Sequence, residues 1–168
     1  MKKNIFRIIA LVVCVVILFS IVSCNDIEEA AESAVVDGIT LNNDAASTDK
    51  GIYIGSQKSE VINVYGQPAE ENESNIKYKD GGAELVFGFK DGKVNSITLD
   101  QKGQTYTSNF TVKYKGTEIK LGTNWSDIEG KLGEPISSIP TGNCGGKGET
   151  YRYDYSALTI KVVKYTDN

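Results

Sequence analysis

Apolar residues fall into three kinds of pattern along this chain. An uncharged run from Ile8 to Val22 comes first. From Ile52 to Leu99, and again from Phe110 to Val163, a short stretch of helical spacing is followed by stretches in which apolar and polar residues alternate. Alternation lines one face of a strand, whereas spacings of three and four line one face of a helix. Ile52-Tyr53-Ile54 predicts a short strand. Val61, Val64 and Tyr65 then share the face of a helix that Ser56 caps, that Glu60 favours near its positive end, and that Gly66 and Pro68 stop. Ile76 to Lys79, Ala83 to Phe89 and Val94 to Leu99 follow as antiparallel strands joined at Asp80-Gly81-Gly82 and Asp91-Gly92. Leu85, Phe87, Phe89, Ile97 and Leu99 alternate onto one face and form the floor on which the helix lies.

The second stretch runs the same way. Phe110 to Tyr114 turns at Lys115-Gly116 into Glu118 to Leu121. A second helix is capped by Thr123, has Asp127 near its start, turns Ile128 and Leu132 inward and stops at Gly133 and Pro135. Trp125 stands where the first copy has Lys58, an indole placed to seal the contact between the halves. Tyr151, Tyr153 and Tyr155 share one face of a strand, and Leu158, Ile160 and Val162 share one face of the next. The helix segments carry one phrase, 67 positions apart: Ile54-Gly55-(five)-Val61-(three)-Tyr65-Gly66-Gln67-Pro68 and Leu121-Gly122-(five)-Ile128-(three)-Leu132-Gly133-Glu134-Pro135. Such self-similarity predicts an α+β fold of two tandem helix-plus-antiparallel-sheet repeats, at residues 51–104 and 105–168. No counterpart of Val94 to Leu99 follows Tyr165. The second repeat is therefore expected to lack its last strand, leaving the edge beside residues 157–164 open to pairing.

The ends of the chain bear on location. Lys2, Lys3 and Arg7 precede the uncharged run, which closes on Ile21-Val22-Ser23-Cys24, so residues 1–23 have the layout of an export signal. The final tetrad resembles the bacterial lipobox, which implies a lipoprotein signal peptide and a diacylglycerol on the thiol of Cys24. The run is shorter than the roughly 20 residues that span a bilayer, so an anchored rather than embedded domain is expected, at the extracytoplasmic face of the cell membrane. Residues 24–50, rich in Asp, Glu, Ala, Ser, Thr and Asn, read as a flexible acidic tether. Val35 to Leu41 is the one apolar stretch within it, a hairpin attached to the first repeat.

Charge and chemistry narrow the function. Removing the three basic residues of the signal from a total of 18 leaves 15 Lys and Arg against 22 Asp and Glu, a net charge of −7 that argues against nucleic acid. The chain has no histidine, which removes the Ser-His and Cys-His nucleophiles and the mixed Cys/His zinc sites. No cofactor or metal site is indicated, since Asp80 and Asp91 are explained by their turns. Cys14 leaves with the signal and Cys24 is acylated, so Cys144 stands alone in a Gly-rich loop, with nothing to depress its pKa. Gly145-Gly146-Lys147 fails the phosphate-loop pattern at both flanks, where Thr141 and Gly148 stand. What remains is aromatic surface. Tyr151, Tyr153, Tyr155, Tyr78 at the related place in the first half, and Trp125 are the candidate partner-binding residues, because aromatics with a polar tip give contact area for little lost entropy. The competing reading makes the Tyr row one wall of the core.

The repeated phrase also resembles the signature of the small helix-plus-sheet modules shared by the SmpA/OmlA outer-membrane assembly lipoproteins and the tandem β-lactamase inhibitor proteins. It is similar, too, to lipoproteins of Firmicutes with a Phe-x-Val-x-Tyr-x-Gly hairpin before the second helix. The resemblance covers roughly residues 52–165. It departs from the signature where Ser56 and Thr123 replace the usual methionine. It implies a non-enzymatic protein-binding or scaffold module with a protein or cell-wall partner; the alternative it implies is an inhibitor of a secreted or cell-wall enzyme. A third class, a catalytic lipoprotein using carboxylates or Cys144, finds no supporting motif.

Overall fold

The computed structural model describes residues 33–143 and 148–165. Strand makes up 54% of these and helix 12%, so the fold is β-rich. This corrects the expected α+β pair of repeats with a helix in each. The strands are β1 (Ser33–Leu41), β2 (Ala46–Thr48), β3 (Glu70–Glu71), β4 (Asn75–Asp80), β5 (Ala83–Lys90), β6 (Lys93–Gln101), β7 (Thr111–Tyr114), β8 (Thr117–Lys120), β9 (Ser137–Asn143), β10 (Gly148–Asp154) and β11 (Leu158–Tyr165). One helix of eight residues, α1 (Lys58–Tyr65), and one of four, α2 (Glu129–Leu132), accompany them.

The predicted hairpins form at the predicted turns. Asp91 and Gly92 take φ of 53° and 74°, and Lys115 and Gly116 take 50° and 77°, the positive angles that a tight hairpin of this hand demands. Helix α1 begins one residue later than expected. The Glu60 carboxylate accepts a hydrogen bond from the Gln57 amide at 2.8 Å, while the Ser56 hydroxyl turns back to accept one from the Tyr53 amide. Gly66 ends it with φ 77° and ψ −153°, a conformation open in practice only to glycine.

The matching segment does not form a matching helix. Trp125–Asp127 makes a single 3-10 turn, and α2 manages one turn before Gly133. Gly130 stands where α1 has Asn63, and a mid-helix glycine costs about 1 kcal/mol relative to alanine. Trp125, Ser126 and Asp127 are also weak helix formers, and Thr123 does not cap: its carbonyl accepts the Val36 amide at 3.0 Å.

Eight strands form one antiparallel sheet in the order β3-β4-β5-β6-β1-β11-β10-β9, and β2-β7-β8 form a second. The segment expected to be a tether therefore supplies the innermost strand. Strand β1 pairs with β6 (Ile39 opposite Leu99) and with β11 (Ile39 opposite Ile160), so the strand expected to be missing after Tyr165 is provided from the N-terminal side. The edge at residues 157–164 is closed on both sides, and no hairpin forms at Val35 to Leu41. Sequence hid this because Asp37, Gly38 and Thr40 interrupt the apolar pattern. Asp37 sits at a bulge between Val36 and Gly38 and meets Lys161 at 2.6 Å, leaving Val36, Ile39 and Leu41 to the core.

On the core face one row crosses seven strands: Tyr78, Leu85, Leu99, Ile39, Ile160, Tyr153 and Ser138. The same buried cluster takes in Val61 of α1, Val112 and Ile119 of the small sheet, and Leu132 of α2. The other face is polar. One of its rows runs Glu70, Lys77, Val86, Thr98, Thr40, Thr159, Asp154, Ser137, and Lys77 and Lys79 bridge Glu70 and Glu84 across it.

Candidate functional site

The Tyr row lies on the covered face of the sheet, because Tyr151 is paired with Val162 and Tyr153 with Ile160, whose side chains are fully buried. Tyr155 follows the strand and is 4% exposed; Trp125 is 5% exposed and Tyr78 6%. Those three belong to the core, whereas Tyr151 and Tyr153 are half-buried at its margin. Of the two readings of these aromatics, partner-binding surface and wall of the core, the structure places Tyr78, Tyr155 and Trp125 in the core. The structure brings Trp125, Tyr153 and Tyr155 together, and sets Tyr78 at the far end of the row.

The two ends of that row differ. At the first, the Tyr65 ring of α1 lies 5.1 Å from Tyr78 and 5.4 Å from Phe87, and the Tyr78 hydroxyl donates to the Gly66 carbonyl at 3.0 Å. That corner is filled. At the second, the residue 67 positions after Tyr65 is Leu132, which is smaller and wholly inside. Tyr153 is covered on one side by the indole of Trp125, with ring centres 4.3 Å apart and planes tilted by 26°. A cleft of about 200 Å³ remains, lined by Trp125, Tyr153, Tyr155, Pro135, Glu129 and Glu134, with Gly130 and Gly133 adding no side chain to its wall.

Burial pushes the Tyr155 hydroxyl up to about 12, and the field of Glu129, with a smaller contribution from Glu134, adds to it. The cleft is therefore aromatic within and acidic at its rim. Beside it Ile136, next to Pro135, is 75% exposed, a large apolar side chain left in water, whereas Ile139, 46% exposed, lies opposite Arg152 on the polar face of the sheet. Sequence reasoning singled out Trp125 and the tyrosines but missed Glu129, Glu134 and Ile136. Nothing in the spacing of those three distinguishes them from solvated surface; only the collapse of the second helix brings them to one place.

Strand β9, an outer strand of the large sheet, begins two residues after Pro135 of the cleft wall. The Tyr155 amide donates to the Leu158 carbonyl, so by alternation the backbones of Tyr151, Tyr153 and Tyr155 face β11, and those of Arg152 and Asp154 face β9. Their partners Ile139 and Ser137 face inward, which leaves Ser138 and Pro140 directed outward. Proline has no amide hydrogen to offer, and a bulge follows at Thr141, so this edge is guarded against a further strand. The opposite edge is two glutamates long and engaged by lysines, with Lys58 on Glu71 at 2.9 Å and Lys79 on Glu70 at 2.6 Å.

Among the described residues no group of three or more acidic or Cys side chains is placed to hold a metal, and no helix is long and apolar enough to cross a membrane. Cys24, the expected export signal and Cys144 lie outside the described residues. No protein-family model, curated protein or solved structure matches this chain. The likeness to the SmpA/OmlA and β-lactamase-inhibitor modules is carried by the motif alone.

Proposed function

We propose that this protein is an extracytoplasmic lipoprotein, held at the membrane through Cys24, whose folded part is a non-catalytic module that binds a protein or cell-wall partner at the Trp125–Tyr153 corner. The observation that carries the reading is the contrast between the two ends of the core row. One end is sealed by Tyr65, and the other is open, aromatic and flanked by Ile136. Aromatic anchors at a cleft with an exposed aliphatic at its margin have the composition of an interaction hot spot. The absence of histidine from the sequence removes the commonest catalytic bases and leaves binding as the simpler use of such a corner.

Placing a photo-crosslinking residue at Ile136 of the full chain in cells, with Ile139 on the opposite face and exposed Lys113 of β7 as control positions, tests this directly. A defined adduct is expected from Ile136 and not from either control. Equal labelling at all three, or none, would dismiss the corner as a binding site. Separately, Cys24→Ala is expected to abolish incorporation of a labelled fatty acid; undiminished labelling removes the proposed anchor.

A further inference from the structure

The geometry points to an organic cation as the ligand of the cleft between α2 and the end of β10: the ammonium or guanidinium head of a basic side chain, or a quaternary ammonium group. This rests on the reading of the corner as a binding site and names what it takes. The inner wall is aromatic, lined by Trp125, Tyr153 and Tyr155, and the negative faces of such rings attract a cation within about 6 Å. Glu129 and Glu134 stand at the mouth, exposed, and neither forms an ion pair among the described residues. A base beside the wall is already engaged: the Lys115 ammonium, 3.3 Å from a Cβ built at Gly133, donates to the Leu132 carbonyl at 3.1 Å and lies 5.2 Å from the Tyr114 ring centre. It ties down the end of α2 without pairing with either glutamate.

Size and polarity select the class of cation. About 200 Å³ is small for a ligand pocket, enough for a head group and short of a drug-sized molecule. A hard metal ion asks for six or more oxygen ligands, and this wall is mostly carbon. A neutral apolar group would fit the rings but gain nothing from the two carboxylates at the mouth. Gly130 keeps the approach clear: a Cβ built there meets no atom within 4 Å, so a larger side chain would project into open space.

The chain carries one tryptophan, Trp125, so its fluorescence reports on the cleft itself. The full chain in maltoside micelles is titrated at constant ionic strength with N-acetyl-lysine amide, N-acetyl-arginine amide and choline, and with neutral N-acetyl-norleucine amide. The expected result is a saturable change with at least one cation and an affinity for norleucine amide at least about tenfold weaker. Preference for the amino-acid amides assigns the head group to a polypeptide, and preference for choline assigns it to a quaternary ammonium source. Glu129→Gln with Glu134→Gln should weaken the response about tenfold, and Gly130→Phe should abolish it, both with the thermal melt retained. No saturable change, equal binding of norleucine amide, or an undiminished response in the double variant would overturn the assignment. Crosslinks from Ile136 without any cation response would retire the cation alone; loss of both would retire the binding module as well.

Discussion

At the scale of single residues, the glycines near α2 separate two effects that sequence merges. Gly130 and Gly133 are three apart, but only Gly133 has a positive φ, 81°. Gly130→Ala is expected to stabilise the protein by about 0.5–1 kcal/mol by favouring the short helix, whereas Gly133→Ala is expected to destabilise it by about 1 kcal/mol or more; urea unfolding reads both. Asp154 gives a pH test. It accepts hydrogen bonds from Arg152 at 2.9 Å, Ser137 at 2.7 Å and Thr159 at 2.8 Å, joining three strands on the polar face. Arg152 above all holds its carboxyl down at about 2, below the usual 3.8. A folded-state pKa below the unfolded one stabilises fully above the unfolded value, and the contribution is lost as pH falls from about 4 through about 2. The melting temperatures of wild type and Asp154→Asn should differ at pH 6 and converge by pH 2; a constant gap would show that the carboxylate charge contributes nothing. Residues such as Gly66, Gly133, Asp91 and Lys115 were legible in the sequence, because backbone angle is a local property of residue type. The burial of Tyr78, Tyr155 and Trp125 was not, since an alternating pattern marks a face without saying what covers it.

At the scale of elements, the hairpins β4-β5-β6 and β7-β8 were legible for the same local reason, and so was α1, whose start and stop signals are strong. The failure at α2 shows where local pattern loses to packing. Trp125 meets Tyr153 from a 3-10 turn, and Gly130 does not hold a longer helix against that demand. The failure at β1 has another cause: a half-polar strand with a bulge looks like a linker until its neighbours are known. Ile39 is 2% exposed at the middle of the sheet. Ile39→Ala is expected to cost about 2–5 kcal/mol in urea unfolding, a result alien to a tether. Deleting residues 33–41 should remove the folded state altogether, whereas a protein that still melts cooperatively without them would contradict the strand order given above.

At the scale of the whole molecule, the two sequence halves do not close separately. Strands from 70–101 and 137–165 meet only through β1, and one buried cluster draws on both sheets. Residues 33–165 should therefore unfold in a single calorimetric transition with equal calorimetric and van't Hoff enthalpies, and residues 105–168 alone should fail to fold. Two resolved transitions would restore the picture of independent units. The sequence could not disclose this closure, because pairing between Ile39 and Ile160 spans most of the chain and leaves no periodic trace.

The central position of β1 also bears on how this protein would carry load. With lipid on Cys24, eight residues separate the membrane attachment from Ser33, a reach of at most about 28 Å at full extension. Tension from a partner at the β9 corner would enter the sheet through β1, which is bonded to β11 from Ser33 to Leu41 and to β6 over Gly38–Leu41. Such a strand must slide past both flanks at once, breaking many hydrogen bonds together, whereas a strand at the rim would peel off one bond at a time. An anchor at Cys24 would thus lead into the part of the fold best placed to withstand being pulled.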